Sequence, residues 1–138
     1  MAEQENYVLI NAPTKAGEDF VRLLRVRGCR IAGLANNAAE KKRFEQLGIQ
    51  TIIMVDTHRQ KTWFCPQFAV TKVFLFEGSF ALTCRYIQMC RAWTDQPIVV
   101  VTSSLNPRLV YKSLGADHVV YSHSGHVSFL AEASAMEG

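Results

Sequence analysis

The chain has no apolar run near the roughly 20 residues that a membrane-spanning helix needs, so no membrane insertion is expected. Residues Met1–Asn6 are polar and acidic and do not form an apolar leader, and the expected location is cytoplasmic. Cysteine is sparse. Cys29, Cys65, Cys84 and Cys90 include no C-x-x-C pair, which leaves no thiol-based metal or redox motif and suggests reduced, mostly buried thiols. The net charge of +3 is small and its basic residues are scattered, so nucleic acid is not an expected partner. Repeats, linkers and low-complexity stretches are also missing. Residues 1–138 therefore form a single domain, with residues 1–6 and about 131–138 expected to be flexible.

What is present is a regular alternation of strand and helix signals. Strands are expected at Tyr7–Asn11, Cys29–Ala35, Gln50–Val55, Lys72–Phe76, Ile98–Thr102 and His118–Tyr121. The run Thr-Ile-Ile-Met-Val at 51–55 suits a parallel strand covered on both faces. Helices are expected from about Ala16 to Arg27, from Asn36 or Asn37 to Leu47, from Ser79 to Trp93, and from Asn106-Pro107 to Leu114. Gly28, Gly48 and Gly115 follow three of them as terminating glycines. Phe80, Cys84, Ile87 and Arg91 recur at helical spacing, and the apolar members of that set are expected to face the core. A final short helix is expected between Ser124 and about Met136. Strands joined by helical crossovers predict an α/β, Rossmann-like, doubly wound and mostly parallel six-stranded sheet of order 3-2-1-4-5-6. A ligand site would lie at the carboxyl ends of its strands.

The first strand-to-helix turn is the natural place for a G-x-G-x-x-G phosphate motif. Here its positions fall on Ala12, Thr14 and Gly17, so only the third glycine remains. Pro13 has no N–H to offer a phosphate. Thr14 and Lys15 could still meet an anion at the start of the helix, although a lysine on a turn is ordinarily just solvated.

The second half reads Lys-Val-Phe-Leu-Phe-Glu-Gly-Ser, helix, Gln-Pro-Ile-Val-Val-Val-Thr-Ser, helix, Ser-Leu-Gly-Ala-Asp-His-Val-Val. This resembles the nucleotide-binding lobe of RCK domains, the cytosolic regulators of potassium channels and transporters. The likeness covers about residues 7–121. It implies a non-catalytic regulatory or binding domain, with NAD(P) or another adenine nucleotide as the cofactor class. The implied contacts are Ala12, Thr14, Lys15, Gly17, Asn36 and Glu77. In that family an acidic residue at the end of strand two holds the ribose; the matching position here is Ala35, beside Asn36 and Asn37. The resemblance also implies a homodimer, or another protein partner. The tail beyond Ser122, with Val127, Phe129 and Leu130, is available to cross to the partner.

Two other readings compete. An NAD(P)-dependent oxidoreductase-like domain would need a tyrosine four residues before a lysine, but Tyr111 directly precedes Lys112; both are expected as surface or partly buried helix residues. A pseudo-receiver would match Thr102 and place Glu77 where its phosphoacceptor aspartate belongs, but Asn11 and Ala12 replace its acidic pair. No catalytic set is evident around Asp56, Glu77 or Asp117. His118, His123 and His126 begin on a strand and continue in a loop, so no metal site is expected from them. Trp63, Phe64 and Phe68 either cover the sheet or anchor a partner.

Overall fold

The computed structural model describes residues 6–56, 66–104 and 108–122. Its elements alternate in chain order: β1 (Asn6–Asn11), α1 (Lys15–Val26), β2 (Ile31–Ala35), α2 (Ala38–Gln46), β3 (Thr51–Met54), β4 (Ala69–Phe76), α3 (Phe80–Trp93), β5 (Ile98–Thr102), α4 (Arg108–Leu114) and β6 (His118–Tyr121). The strands form one six-stranded sheet of order β3-β2-β1-β4-β5-β6. Every pairing in it is parallel. This is the Rossmann-like arrangement expected from the alternation. It differs from the five-stranded order 2-1-3-4-5 of a receiver, and the pseudo-receiver reading is set aside on that ground.

Adjacent residues on a strand face opposite sides of a sheet, so a strand covered on both sides must be apolar at every position. Leu9, Leu75 and Val100 pack on one side with Ile87 and Cys90 of α3 and Tyr111 of α4. Ile10, Phe74, Phe76 and Val101 pack on the other with Phe20 and Leu24 of α1 and Phe44 of α2. Phe20 meets the Phe74 ring edge-on, with centroids 4.6 Å apart. Burying each such side chain stabilises the fold by about 1.5–3 kcal/mol.

Several expectations need correction. Among the described residues β3 pairs only with β2, at the edge of the sheet, and Thr51–Ile53 are half-buried and Met54 is exposed rather than covered on both faces. β4 begins at Ala69, before the expected Lys72. A register shift opposite Tyr7 and Val8 absorbs polar Thr71, whose hydroxyl donates to the Tyr7 carbonyl at 3.3 Å. On α3 the expected Ile87 is fully buried and Cys84 packs against the same cluster, but Phe80 is half exposed, and Thr83, Tyr86, Met89 and Cys90 complete the buried face. Phe68 tilts against Tyr7 at 4.5 Å and so covers the sheet. Trp63, Phe64, Cys65, His123, His126, the proline start at Asn106-Pro107 and the tail with Val127, Phe129 and Leu130 lie outside the described residues. No helix among the described residues is long and apolar enough to cross a membrane.

Candidate functional site

The β1–α1 turn is assembled by close packing. Buried Asn11 ends β1 and donates from Nδ2 to the Leu34 carbonyl at 2.8 Å, locking the ends of β1 and β2 together. Thr14 caps α1, its Oγ1 accepting from the Gly17 N–H at 3.1 Å. A Cβ placed on Gly17 would stand 2.8 Å from the Ala12 Cβ and 3.1 Å from the Phe76 ring. One on Gly78 would stand 3.0 Å from the Pro13 ring. Ala12 and Pro13 thus fill the turn, and glycines at 17 and 78 make room for them.

Beside this turn a cleft of about 270 Å³ opens between α1 and α2, at the carboxyl end of β1. Asn11, Ala12 and Pro13 line one side. Ala39, Glu40, Arg43, Phe44 and Leu47 of α2 line the other, with Glu18 of α1 between them. Two hydrogen bonds set the start of α2: the Asn37 side chain accepts from the Glu40 N–H at 2.8 Å, and Glu40 Oε1 accepts from the Asn36 N–H at 2.7 Å. Arg43 spans to α1, with Nε and Nη2 both donating to Glu18 Oε2 at 2.7 and 2.6 Å.

Of the residues named from the sequence, Ala12 lines this cleft. Gly17 and Thr14 shape the turn behind it. Asn36 contributes its backbone N–H to Glu40. Lys15 is outside the lining; it is exposed and pairs with Asp19 one turn along α1 at 3.2 Å. Glu77 belongs to a separate cluster on the β4–β5 side. Its Oε1 accepts from Thr102 Oγ1 at 2.7 Å and its Oε2 from the Tyr111 hydroxyl. The Thr102 hydroxyl in turn accepts from the Ser104 N–H at 3.0 Å. Tyr111, expected to be partly buried, is fully buried beneath the stacked ring of Phe80 because its hydroxyl has the Glu77 carboxylate to meet. Burial, and then that carboxylate, push the Tyr111 phenol well above its ordinary range. It therefore stays a neutral donor.

Burial likewise pushes the Cys90 thiol up to about 12, and it raises that of half-buried Cys84. Cys29, Cys84 and Cys90 are free thiols. Among the described residues, no group of three or more His, Cys, Asp or Glu could hold a metal ion.

Reading the sequence missed Glu18, Glu40 and Arg43. The Asn37-x-x-Glu40 spacing was a usable signal, because it places a carboxylate beside the end of β2 as it caps the helix. The Glu18–Arg43 pair joins residues 25 apart on different helices and has no local signature.

No family model matches the chain, and no curated relative does. Solved structures match it closely in fold. The NAD(P)-binding domain of an exopolyphosphatase-related protein from Archaeoglobus fulgidus aligns with a TM-score of 0.65 at 20% identity, over 98% of this chain and 96% of that one. The TrkA-N domain of the Escherichia coli inner membrane protein ybaL aligns at 0.66 and 10% identity, over 99% and 98%. The NAD-bound GsuK channel aligns at 0.69 and 14% identity, over 87% of this chain and 22% of the channel. In fold, the chain resembles the nucleotide-binding lobe of RCK and TrkA-N domains.

Proposed function

We propose that the chain is a non-catalytic, Rossmann-like regulatory domain that binds an adenine nucleotide in the cleft between α1 and α2, through a site altered at its phosphate turn. The observation that carries this reading is the cleft itself. It opens at the carboxyl end of β1, beside the turn that would carry the phosphate motif and on the β2 side of the β1–β4 switch point, and it presents the Glu40 carboxylate and the Arg43 guanidinium. Glu40 spends one oxygen on the Asn36 N–H, and its remaining acceptor capacity suits ribose hydroxyls. It offers from α2 the charge that the end of β2 lacks. Ala12 and Pro13 make a poor seat for a pyrophosphate, so the nucleoside end of the ligand is the part gripped. GsuK, a structural neighbour, has been seen bound to NAD and to ADP.

The absence of catalysis in this reading is supported by the Glu77 cluster. Thr102 and Tyr111, which donate to the two oxygens of that carboxylate, are both buried, so the cluster ties β4, β5 and α4 together rather than presenting a hydroxyl to a substrate. Self-association through the late elements is part of the same reading.

A thermal-shift titration tests the ligand. NAD(H), NADP(H), ATP, AMP and cyclic dinucleotides are the panel, and a true ligand at about 100 times its dissociation constant adds about 2.7 kcal/mol of stability. Glu40→Gln should weaken that ligand about tenfold, by removing a charged acceptor. If no member of the panel shifts the transition, the nucleotide reading fails and a protein-interaction role takes its place.

A further inference from the structure

We propose that Glu18 is a built-in competitor for the phosphate of an incoming ligand, and that it sets the cleft's preference for ligands poor in phosphate. This rests on the nucleotide-binding reading above. Among the described residues that line the cleft, Arg43 is the one guanidinium, and Glu18 already holds it through two donors on a single carboxylate oxygen. Carboxylate and phosphate seek the same planar guanidinium fork, and Glu18 occupies its Nε–Nη2 edge, so a phosphate that takes that edge must displace the carboxylate. The Glu18 side chain is 12% exposed, whereas that of Arg43 is 62% exposed. The carboxylate is therefore the seated partner, and the arginine is the one able to swing.

Charge points the same way. With Arg43 neutralised by Glu18, the cleft keeps the Glu40 carboxylate as its uncompensated charge. That group attracts hydroxyl donors and repels a phosphate. A neutral nucleoside meets no obstacle. A phosphate ester gains the Nε–Nη2 edge of that guanidinium by drawing Arg43 away from Glu18. Doing so cuts an ion pair that ties α1 to α2, which gives the domain a contact between helices that responds to the ligand's phosphate.

Calorimetric titration of adenosine and AMP into the full chain, Glu18→Gln and Arg43→Gln tests this. Glu18→Gln should bind AMP about tenfold more tightly than the unaltered protein, and adenosine within about twofold of it. Arg43→Gln should show no gain for AMP over adenosine. A second measurement needs no variant: the Arg43 Nε–H resonance of the unaltered protein should move when AMP is added and stay in place with adenosine. If adenosine binds normally while Glu18→Gln leaves the AMP-to-adenosine ratio unchanged, the competitor role is wrong and the nucleotide reading stands. If neither compound binds any of the three proteins, both readings fall.

Discussion

Gly17 shows how a single residue records the substitution of its neighbours. The motif position at 12 carries a Cβ, and α1 still packs tightly on the end of β1, so the remaining glycine takes all of the close approach. Gly17→Ala would place a methyl 2.8 Å from the Ala12 Cβ, with the Phe76 ring behind it and buried surroundings that cannot retreat. We expect it to destabilise the fold by about 1–3 kcal/mol, the usual range for overpacking, read from denaturant unfolding. The double variant Ala12→Gly, Gly17→Ala should recover only part of that loss, because the residue 12 Cα at 2.9 Å and the Phe76 ring at 3.1 Å remain in the way. If Gly17→Ala alone is neutral, the packing account of this turn is wrong. Residue-scale chemistry was only partly legible in advance. The glycine pattern was visible because it is local. Tyr111 was not, because its burial depends on a carboxylate 34 positions away.

At the scale of elements, the helix ends explain why so much of the fold could be read. α1 and α2 both close with the same pair of bonds. Gly28 donates to the Arg25 carbonyl and Cys29 to that of Leu24; Gly48 donates to Glu45 and Ile49 to Phe44. Both glycines sit at positive φ, 79° and 83°, which a side chain resists. Such punctuation is written in the sequence, as are the caps at Thr14, Asn37 and Ser79. For α3, the exposure of Phe80 and the full width of the buried face were not written there. Its apolar residues occur on more than one face, and only packing against β4, β5 and α4 selects the buried one.

The base of the same layer is held by Arg91. Its guanidinium donates to the carbonyls of Thr94, Gln96 and Gly115 and to Asp117 Oδ2, and that oxygen also accepts from the Ile98 N–H at 2.8 Å. Partial burial opposes ionisation of Asp117, but the Ile98 N–H and the Arg91 guanidinium outweigh it and hold the carboxyl below its usual range. A carboxylate lowered on folding stabilises above its unfolded value near about 3.9, and that contribution disappears as pH falls through the folded value. Asp117→Asn should therefore be less stable than the unaltered protein at pH 7, and the gap should shrink steadily below about pH 4. A gap independent of pH would show that the charge of Asp117 does not matter.

At the scale of the molecule, the sheet order places two polar clusters on opposite sides of the β1–α1 turn. The cleft faces β2 and α2, while Glu77, Thr102 and Tyr111 lie toward β5 and α4. The sequence named members of both as one site because all end up near strand carboxyl ends. Three-dimensional spacing separates them. Self-association belongs to this scale too. Phe80, Leu109 and Val110 leave exposed apolar area on α3 and α4, the late helices that our reading assigns to an interface. Sedimentation of the full chain should show a dimer that dissociates on dilution, and a monomer at every micromolar concentration would contradict it.

The central claim is that the cleft between α1 and α2 takes an adenine nucleotide, and amide mapping by NMR tests it most directly. Titrating AMP into the isotope-labelled full chain should move the amides of Asn11, Ala12, Thr14, Glu40 and Arg43, saturating together with a single affinity. The amides of Thr102 and Tyr111, across the turn, should stay in place. Unmoved cleft amides at saturating AMP and NAD, or movement confined to the β5–α4 side, would contradict the account.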